Sequence, residues 1–380
     1  MLKRLNKSIK SLLFSNLEEA VAAGNAKWIE LSGPYSLRPS GVNADEEKAT
    51  LDEIFGDKWR RPLYAEGVAV IEQGKCISTW EQRKITGEYF RIGAFASGNG
   101  RLLVKKKVFP KPNRDIAFDH LSSMLKRKTL YEKTVAVLGN SYHPYINYYH
   151  LWVDALANLY LIKKAGFDLG EIDKYLMPFN NNSWQLESLE LVGLRPDQIV
   201  SYDTFETLQA KKMIIPIRTR ETYNLPLWVS SALKELSINK LNIEHPGKKI
   251  YISRKDANRR RVLNEKKVTA FLKNKGFEVY CMESLSVREQ QNLFASSDII
   301  IAPHGAAFTN IIWCEPGTAI IDLMPINFRT PCFFWLSRQA DLLYYPVLCK
   351  SNQENQEAIN DDIVVDLAIL EVVLEKCGLS

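Results

Sequence analysis

Arginines, a histidine and small residues gather in three short polar stretches, each following a hydrophobic run. The first, SRKDANRRR (253–261), follows KIYIS. Ser253 can donate to a phosphate oxygen, and Arg254 can clamp one through two parallel N–H groups. Arg260 can return to the same anion from the start of the next helix. The second stretch, Glu283 and Ser284, follows FEVYC. The third, APHGAAFTN (302–310), follows DIIIA, and its Gly305, Ala306 and Ala307 leave the backbone N–H groups open to a ligand. His304 can donate to a phosphate or a leaving oxygen. Thr309 and Asn310 are expected to cap a short helix carrying residues 311–313, and a helix N-terminus attracts phosphate. Singly, these features also describe a satisfied histidine, a helix cap and surface arginines. Their common position at the ends of strands favours a site.

A second constellation precedes these. His150 and Asp154 stand four apart, Asn158 continues their stripe, and Leu151, Ala155, Leu159 and Ile162 form the neighbouring apolar face. The preceding HPYINYY (143–149) brings His143, Asn147 and three tyrosines to the same edge. An imidazole beside a carboxylate can act as a general base or be held in one tautomer. Such a pair can also simply seal a domain interface.

Common cofactor signatures are missing. GNG at 98–100 is not GxGxxG, and no GxxxxGK[ST], GxSxG or HExxH occurs. Nor is there a D-x-D pair to hold a divalent metal on a diphosphate, so no metal ligands are assigned. The charge of a departing diphosphate would fall to Arg254, Arg260, His304 and the helix end.

These residues need elements to position them. KIYIS (249–253), FEVYC (277–281), DIIIA (298–302) and AIIDLM (319–324) read as strands, with helices at about 262–275 and 286–296. Gly276 ends the first helix, and Ser286 with Glu289 forms an S-x-x-E capping box for the second. Strand and helix alternate as in parallel βαβ units, where ligands bind beyond the carboxyl ends of the strands. Upstream, 60–110 is strand-rich, TVAVLG (134–139) is a strand, and 149–166 is a helix ending at Gly166. Shorter strands are expected at 175–179 and 212–217. The implied organisation is an amphipathic N-terminal helix (1–20), an N-terminal domain (21–221), which the resemblance given below makes the acceptor side, and a linker region with one helix (222–248). A nucleotide-binding domain (249–345) and a docked helical segment (346–380) complete it.

The chain's 380 residues suit two domains, and 46% hydrophobic with 25% charged residues is ordinary globular usage. No apolar run is long enough to span a bilayer, and the N-terminus lacks the apolar core of a secretory signal. Six scattered cysteines read as free thiols of a reducing compartment. The formal charge is +6, with nine Lys/Arg against two Asp between Arg101 and Lys128. Such a patch either faces phosphorylated or lipid-linked substrates or is a solvated face. Without interleaved aromatics or a known module, it does not indicate nucleic acid. Residues 1–14 place Leu2, Leu5, Ile9 and Leu12 opposite lysines, which suits either an anionic membrane surface or a terminus capping its own domain.

At this point the chain resembles the family 61 glycosyltransferases, which include bacterial capsular polysaccharide biosynthesis proteins and eukaryotic O-linked GlcNAc and xylosyl transferases. The stretches NYYHLWVDALANL (147–159), YISRKDANRRRVLNE (251–265), SLSVREQQNLFASSDIIIAPHGAAFTN (284–310) and PGTAIIDLMP (316–325) carry the resemblance, in family order. It implies an α/β fold of GT-B type, two Rossmann-like domains facing a cleft, here with an N-terminal strand-rich elaboration. It also implies inverting, metal-independent transfer from a nucleoside diphosphate sugar, UDP-linked by expectation. The acceptor would be a hydroxyl of a saccharide or lipid-linked saccharide; the free cysteines and the absence of a secretory signal lead one to expect a cytoplasmic protein, either free or peripheral at the inner face of the membrane. Ser253, Arg254 and Arg260 fall on the family's SR-x-x-A-x-x-R positions, and His304, Gly305, Ala306 and Asn310 on its HGA-x-x-TN positions. Asp322 stands where many members have Glu and could reach a ribose hydroxyl, while His150 and Asp154 match the acceptor-side helix. Phosphoryl or nucleotidyl transfer, or an inert nucleotide-sugar-binding scaffold, are the rival readings.

Overall fold

The computed structural model describes residues 14–33, 44–56, 63, 65–82, 89–97, 101–104, 121–122, 128–140, 147–218, 225–237, 241, 246–352 and 360–379. The N-terminal amphipathic segment, His143 and most of the basic stretch 101–128 lie outside the described residues. Two compact units emerge, one of residues 1–35 and 62–220, the other of 36–61 and 221–380.

In the first unit, β1 (Phe14–Asn16), α1 (Leu17–Ala22) and β2 (Lys27–Ser32) lead to four strands that form the strand-rich opening. Between them in sequence, α2 (Ala44–Phe55) belongs to the other unit. The four are β3 (Glu66–Glu72), β4 (Lys75–Gln82), β5 (Tyr89–Ala96) and β6 (Leu102–Val104). An α/β portion follows: β7 (Thr129–Val137), then helix α3, a π-helical segment His150–Leu156 running into α-helical Asn158–Lys164. Then come β8 (Lys174–Leu176), α4 (Ser183–Leu191), β9 (Ile199–Val200) and β10 (Thr207–Ile217). Strands β10, β7, β8 and β9 are parallel neighbours, whereas β3 and β4 pair antiparallel with the other edge of β10. A register shift between Ala210 and Lys212 accompanies the change of partner from β4 to β3.

The second unit begins with α2 and α5 (Val229–Leu236). Its sheet is built from β11 (Lys248–Ser253), α6 (Glu265–Asn274), β12 (Glu278–Cys281), α7 (Val287–Ala295), β13 (Ser297–Pro303) and β14 (Ala319–Pro325), then α8 (Cys332–Gln339), β15 (Leu343–Ser351), β16 (Ile363–Val364) and α9 (Leu367–Lys376). The order is β12-β11-β13-β14-β15-β16, with β16 alone antiparallel to its neighbour. Apolar runs such as DIIIA and AIIDLM suit central strands covered on both faces, and β14 is buried along its whole length. Counted from β11, the order is 2-1-3-4-5. In this doubly wound arrangement the chain passes from β11 to β12 on one side and then crosses back to β13 on the other, and ligands lodge at the carboxyl ends of the first and third strands, β11 and β13.

The structure redraws the expected boundaries in three places. Residues 36–61, counted with the N-terminal domain by sequence, join the second unit, where Leu51 is buried and the Phe55 ring meets Phe334. The segment 222–248 contains docked structure: α5 buries Val229, Ala232, Leu233 and Leu236, and the Ser230 N–H donates to Gln339 Oε1 at 3.0 Å. The C-terminal segment contributes β16 and part of β15 to the sheet as well as a helix. All six cysteines are free, four of them buried. Among the described residues no helix is long and apolar enough to cross a membrane.

Candidate active site

Residues from β11 and β13 meet at the carboxyl end of the second unit's sheet. Ser253 closes β11 opposite Cys281 and accepts a hydrogen bond from the Lys255 N–H at 3.2 Å. Arg254 then crosses toward the β13 loop. Its guanidinium Nη1 occupies the space a Cβ on Gly305 would fill, so a glycine is required for this approach. Arg254 Nε and Nη2 both donate to the Arg259 carbonyl, at 3.4 and 3.3 Å, which closes the loop into an arch. Burial pushes the Arg254 guanidinium below its ordinary pKa; nearby Glu283 opposes this and Arg259 adds to it.

Arg260 completes the arch. It adopts φ +54°, a left-handed conformation that costs a non-glycine residue about 1–2 kcal/mol. Its side chain is 7% exposed, and its Nε has no hydrogen-bond partner. The guanidinium carbon lies 5.9 Å from the Phe328 ring centroid. Burial first, then Arg254 and Arg259, push its pKa down to about 9. Among the described residues neither Arg254 nor Arg260 forms an ion pair within 4 Å. Buried charge of one sign without a counter-ion is costly, and an entering anion offsets the cost.

Around this pair the 3-10 helix Ala306–Trp313 begins directly after Gly305. The expected caps at Thr309 and Asn310 are therefore incorrect: both lie inside the helix and are buried. The small residues Gly305 and Ala306 form its start instead. Asn310 Nδ2 donates to Gln290 Oε1 at 3.1 Å, and Gln290 Nε2 donates to the carbonyls of Met282 and Leu285 at 3.0 and 3.1 Å. Asn310 thus ties the β13 loop to the loop after β12, where Glu283 is exposed.

His304 and Asp322 also differ from expectation. The His304 N–H donates to the Leu323 carbonyl at 2.9 Å, which prolongs the β13–β14 ladder by one residue and turns the side chain inward. Its Nδ1 lies 2.8 Å from Asp322 Oδ2 and its Nε2 3.0 Å from Thr330 Oγ1. The Tyr344 hydroxyl donates to the same Asp322 oxygen at 2.6 Å. His304 is 3% exposed and Asp322 is fully buried, so neither presents a free group to a phosphate or ribose in this structure. Burial and the neighbouring Asp322 carboxylate hold the Tyr344 hydroxyl well above its ordinary pKa. The network forms a floor behind the arginines. Thr330 and Tyr344 carry no local sequence signal that marks them.

In the first unit, α3 follows the carboxyl end of β7. Asn147 Oδ1 accepts the Tyr149 and His150 N–H groups at 2.9 and 3.4 Å and so starts the helix. The first turns are π-helical, with the Ala157 N–H donating to the Trp152 carbonyl at 3.0 Å; such widened turns are frequent at functional sites. His150 Nδ1 lies 2.5 Å from Asp154 Oδ2, and both side chains are partly exposed, at 19% and 17%. Behind them stands Arg218, a residue the sequence reading missed although it directly follows β10. Its Nη2 lies 3.9 Å from Asp154 Oδ1 and donates to the Val153 carbonyl, and its Nε donates to Asn158 Oδ1 at 2.9 Å. Asn158 Nδ2 in turn donates to the Leu138 carbonyl at 2.6 Å, anchoring the array to the end of β7.

No curated protein matches the chain. The crystal structure of the bacterial iron-containing dodecameric glycosyltransferase TibC from enterotoxigenic E. coli H10407 is similar at 10% identity. The match covers 71% of this chain and 81% of that one, with a TM-score of 0.28, too distant to bear on fold or mechanism. The Glycosyltransferase 61 family model matches residues 148–321, which takes in His150, Asp154, both arginines of the arch and the Gly305 loop, and stops one residue short of Asp322. The matched stretch is a little under half of the chain; it is similar to the family 61 glycosyltransferases and supports a glycosyltransferase.

Proposed function

We propose that the protein moves a sugar from a nucleoside diphosphate sugar, UDP-linked, to a hydroxyl of a saccharide or lipid-linked saccharide, with inversion and without a metal. The observation that carries this is the Arg254–Arg260 pair: one half-buried and one buried guanidinium group, without ion pairs among the described residues, at the β11/β13 switch point, with Arg254 against a glycine. A diphosphate matches that charge and that geometry. Each unit carries one constellation beside carboxyl ends of parallel strands, which supports a GT-B-like arrangement with acceptor chemistry on the first unit and donor binding on the second.

In the proposed reaction the acceptor oxygen attacks the anomeric carbon from the face opposite the diphosphate. The new O–C bond forms as the C–O bond to phosphate breaks, which inverts the centre. His150 takes the acceptor proton, and Asp154 holds the imidazole through Nδ1 and stabilises the resulting imidazolium. Arg254 and Arg260 meet the charge that develops on the departing diphosphate. In this reading Ser253 and the N–H groups at Gly305 and Ala306 bind its remaining oxygens. His304 and Asp322 support this surface from beneath.

A panel of nucleotide sugars tests the proposal, with hydrolysis, transfer to saccharide acceptors and thermal stabilisation as readouts, in the presence of chelator. Turnover of at least one donor with chelator present is expected. Failure of every nucleoside diphosphate and its sugar to bind would overturn the donor assignment, and activity abolished by chelation would overturn its metal independence.

A further inference from the structure

Residues 259–264 lie between β11 and α6, yet a segment about a hundred residues later holds them at nearly every position. Arg259 Nη1 donates to Asn360 Oδ1 at 3.3 Å. Asp362 accepts three bonds from Arg261: the backbone N–H at 2.8 Å, Nε at 3.1 Å and Nη2 at 2.7 Å. The Leu263 N–H donates to the Ile363 carbonyl at 2.8 Å, and the Ile363 N–H to the Arg261 carbonyl at 2.9 Å. Asn264 exchanges two bonds with the Val365 backbone, at 2.8 and 3.0 Å. Asp361, next in line, accepts from Asn327 Nδ2 at 2.7 Å and from Ser351 Oγ at 2.9 Å. These two contacts fix the strap to the turn bearing Phe328, the ring beneath Arg260, and to β15.

Arg260 sits in the middle of this clamp and faces the other way. Its left-handed φ of +54° is disfavoured for any side chain with a Cβ, and its guanidinium has left water without gaining an ion pair among the described residues. A free loop would relax on both counts in the same direction: φ would return to negative values and the charge would swing into solvent. The flanking bonds on Arg259 and Arg261 resist that relaxation, and those made by Asp362 are charge-assisted.

We propose that the C-terminal strap Asn360–Val365 sets the affinity for the donor diphosphate, and that Asp362 is a positioning residue holding Arg260 in the anion site. This rests on the reading of Arg254 and Arg260 as the diphosphate clamp. The strap makes nucleotide binding depend on residues that a sequence reading assigns only to helix docking.

The test uses the full chain and four variants: Asp362→Ala, Asp362→Asn, Arg261→Ala and Arg260→Ala. Each is titrated with UDP and with inorganic pyrophosphate, and its melting is recorded separately. Asp362→Ala is expected to weaken both ligands about tenfold, the scale of a lost hydrogen bond to a charged group. Asp362→Asn, which keeps an acceptor for the Arg261 N–H, should lose less. Donor kcat/KM should fall in Asp362→Ala through kcat as well as KM, because Arg260 also meets the departing charge, while the protein still melts within a few degrees of wild type, a pattern that general destabilisation does not produce. Hydrogen exchange across 258–264 should rise in parallel. If Asp362→Ala is folded and binds as wild type while Arg260→Ala binds weakly, the strap proposal is overturned and the clamp stands. If Arg260→Ala also binds normally, the clamp reading falls and the strap with it. Should Asp362→Ala fail to fold, unchanged affinity in both Asp362→Asn and Arg261→Ala overturns the proposal.

Discussion

The guanidinium of Arg254 lies where a Cβ on Gly305 would be, so the smallest side chain on one loop admits the largest cation of the other. Gly305→Ala should displace Arg254 without disturbing the fold, because the atom it meets is the free end of a flexible side chain. The expected result is a diphosphate affinity lowered about tenfold, as when a charged hydrogen-bonding group loses its geometry. The melting temperature should move by only a few degrees, on the scale of about 1 kcal/mol. Calorimetric titration and a thermal melt on the same preparation check both halves.

Arg260 combines a left-handed backbone with a buried charge that has no ion pair among the described residues, two features that oppose stability. Arg260→Gly removes both, with about 1–2 kcal/mol from the backbone alone. Against this stands a cation–π contact with Phe328 worth about 0.5–2 kcal/mol. The variant should therefore melt no lower than wild type and bind diphosphate more weakly, stability and function moving apart as they do at strained sites. A lower melting point with unchanged affinity would assign Arg260 to the fold instead.

Asp322 is fully buried and accepts from His304 and Tyr344 through one oxygen. Tyr344→Phe deletes one hydrogen bond to a buried charge and should cost about 1.5–3 kcal/mol of stability. Asp322→Ala leaves His304 and Tyr344 without their partner and should cost more, about 3–5 kcal/mol. Denaturant melts give both values, and the ordering is the point to check.

On the first unit, Asp154 stands between His150 at 2.5 Å and Arg218 at 3.9 Å. His150→Ala and Asp154→Asn should each reduce transfer by about 10²-fold or more, as for loss of a general base or its orienting partner, with nucleotide affinity within a few-fold of wild type. Arg218→Met should lower both transfer and stability, because it also frees Asn158 and the Val153 carbonyl. Loss of nucleotide binding in folded His150→Ala would place that histidine in the donor site.

Much of the second unit was legible because buried parallel strands are written as continuous apolar runs. DIIIA and AIIDLM fall inside β13 and β14, and the Ser286/Glu289 capping box forms, with bonds of 2.7 and 3.3 Å. The strand-end rule also located Arg254 and the Gly305 loop. It did not show that the β13 ladder continues one residue further, and that residue decides whether His304 faces ligand or core. Local sequence is likewise silent on the Arg261–Asp362 pairing, whose partners are 101 positions apart, and on Thr330 and Tyr344. Arg218 was findable: it directly follows KMIIPI, and the rule applied to the second unit extends to the first unit's parallel strands.

The most direct measurement is a nucleoside diphosphate titration of Arg254→Ala beside its steady-state turnover. The expected result is a fall in kcat/KM of about 10²-fold or more, with much of it in kcat, since in the proposed reaction Arg254 meets charge that develops as the diphosphate leaves. Diphosphate affinity should fall with it. Wild-type binding and turnover in a folded Arg254→Ala protein would contradict the assignment of the Arg254–Arg260 arch as the diphosphate site.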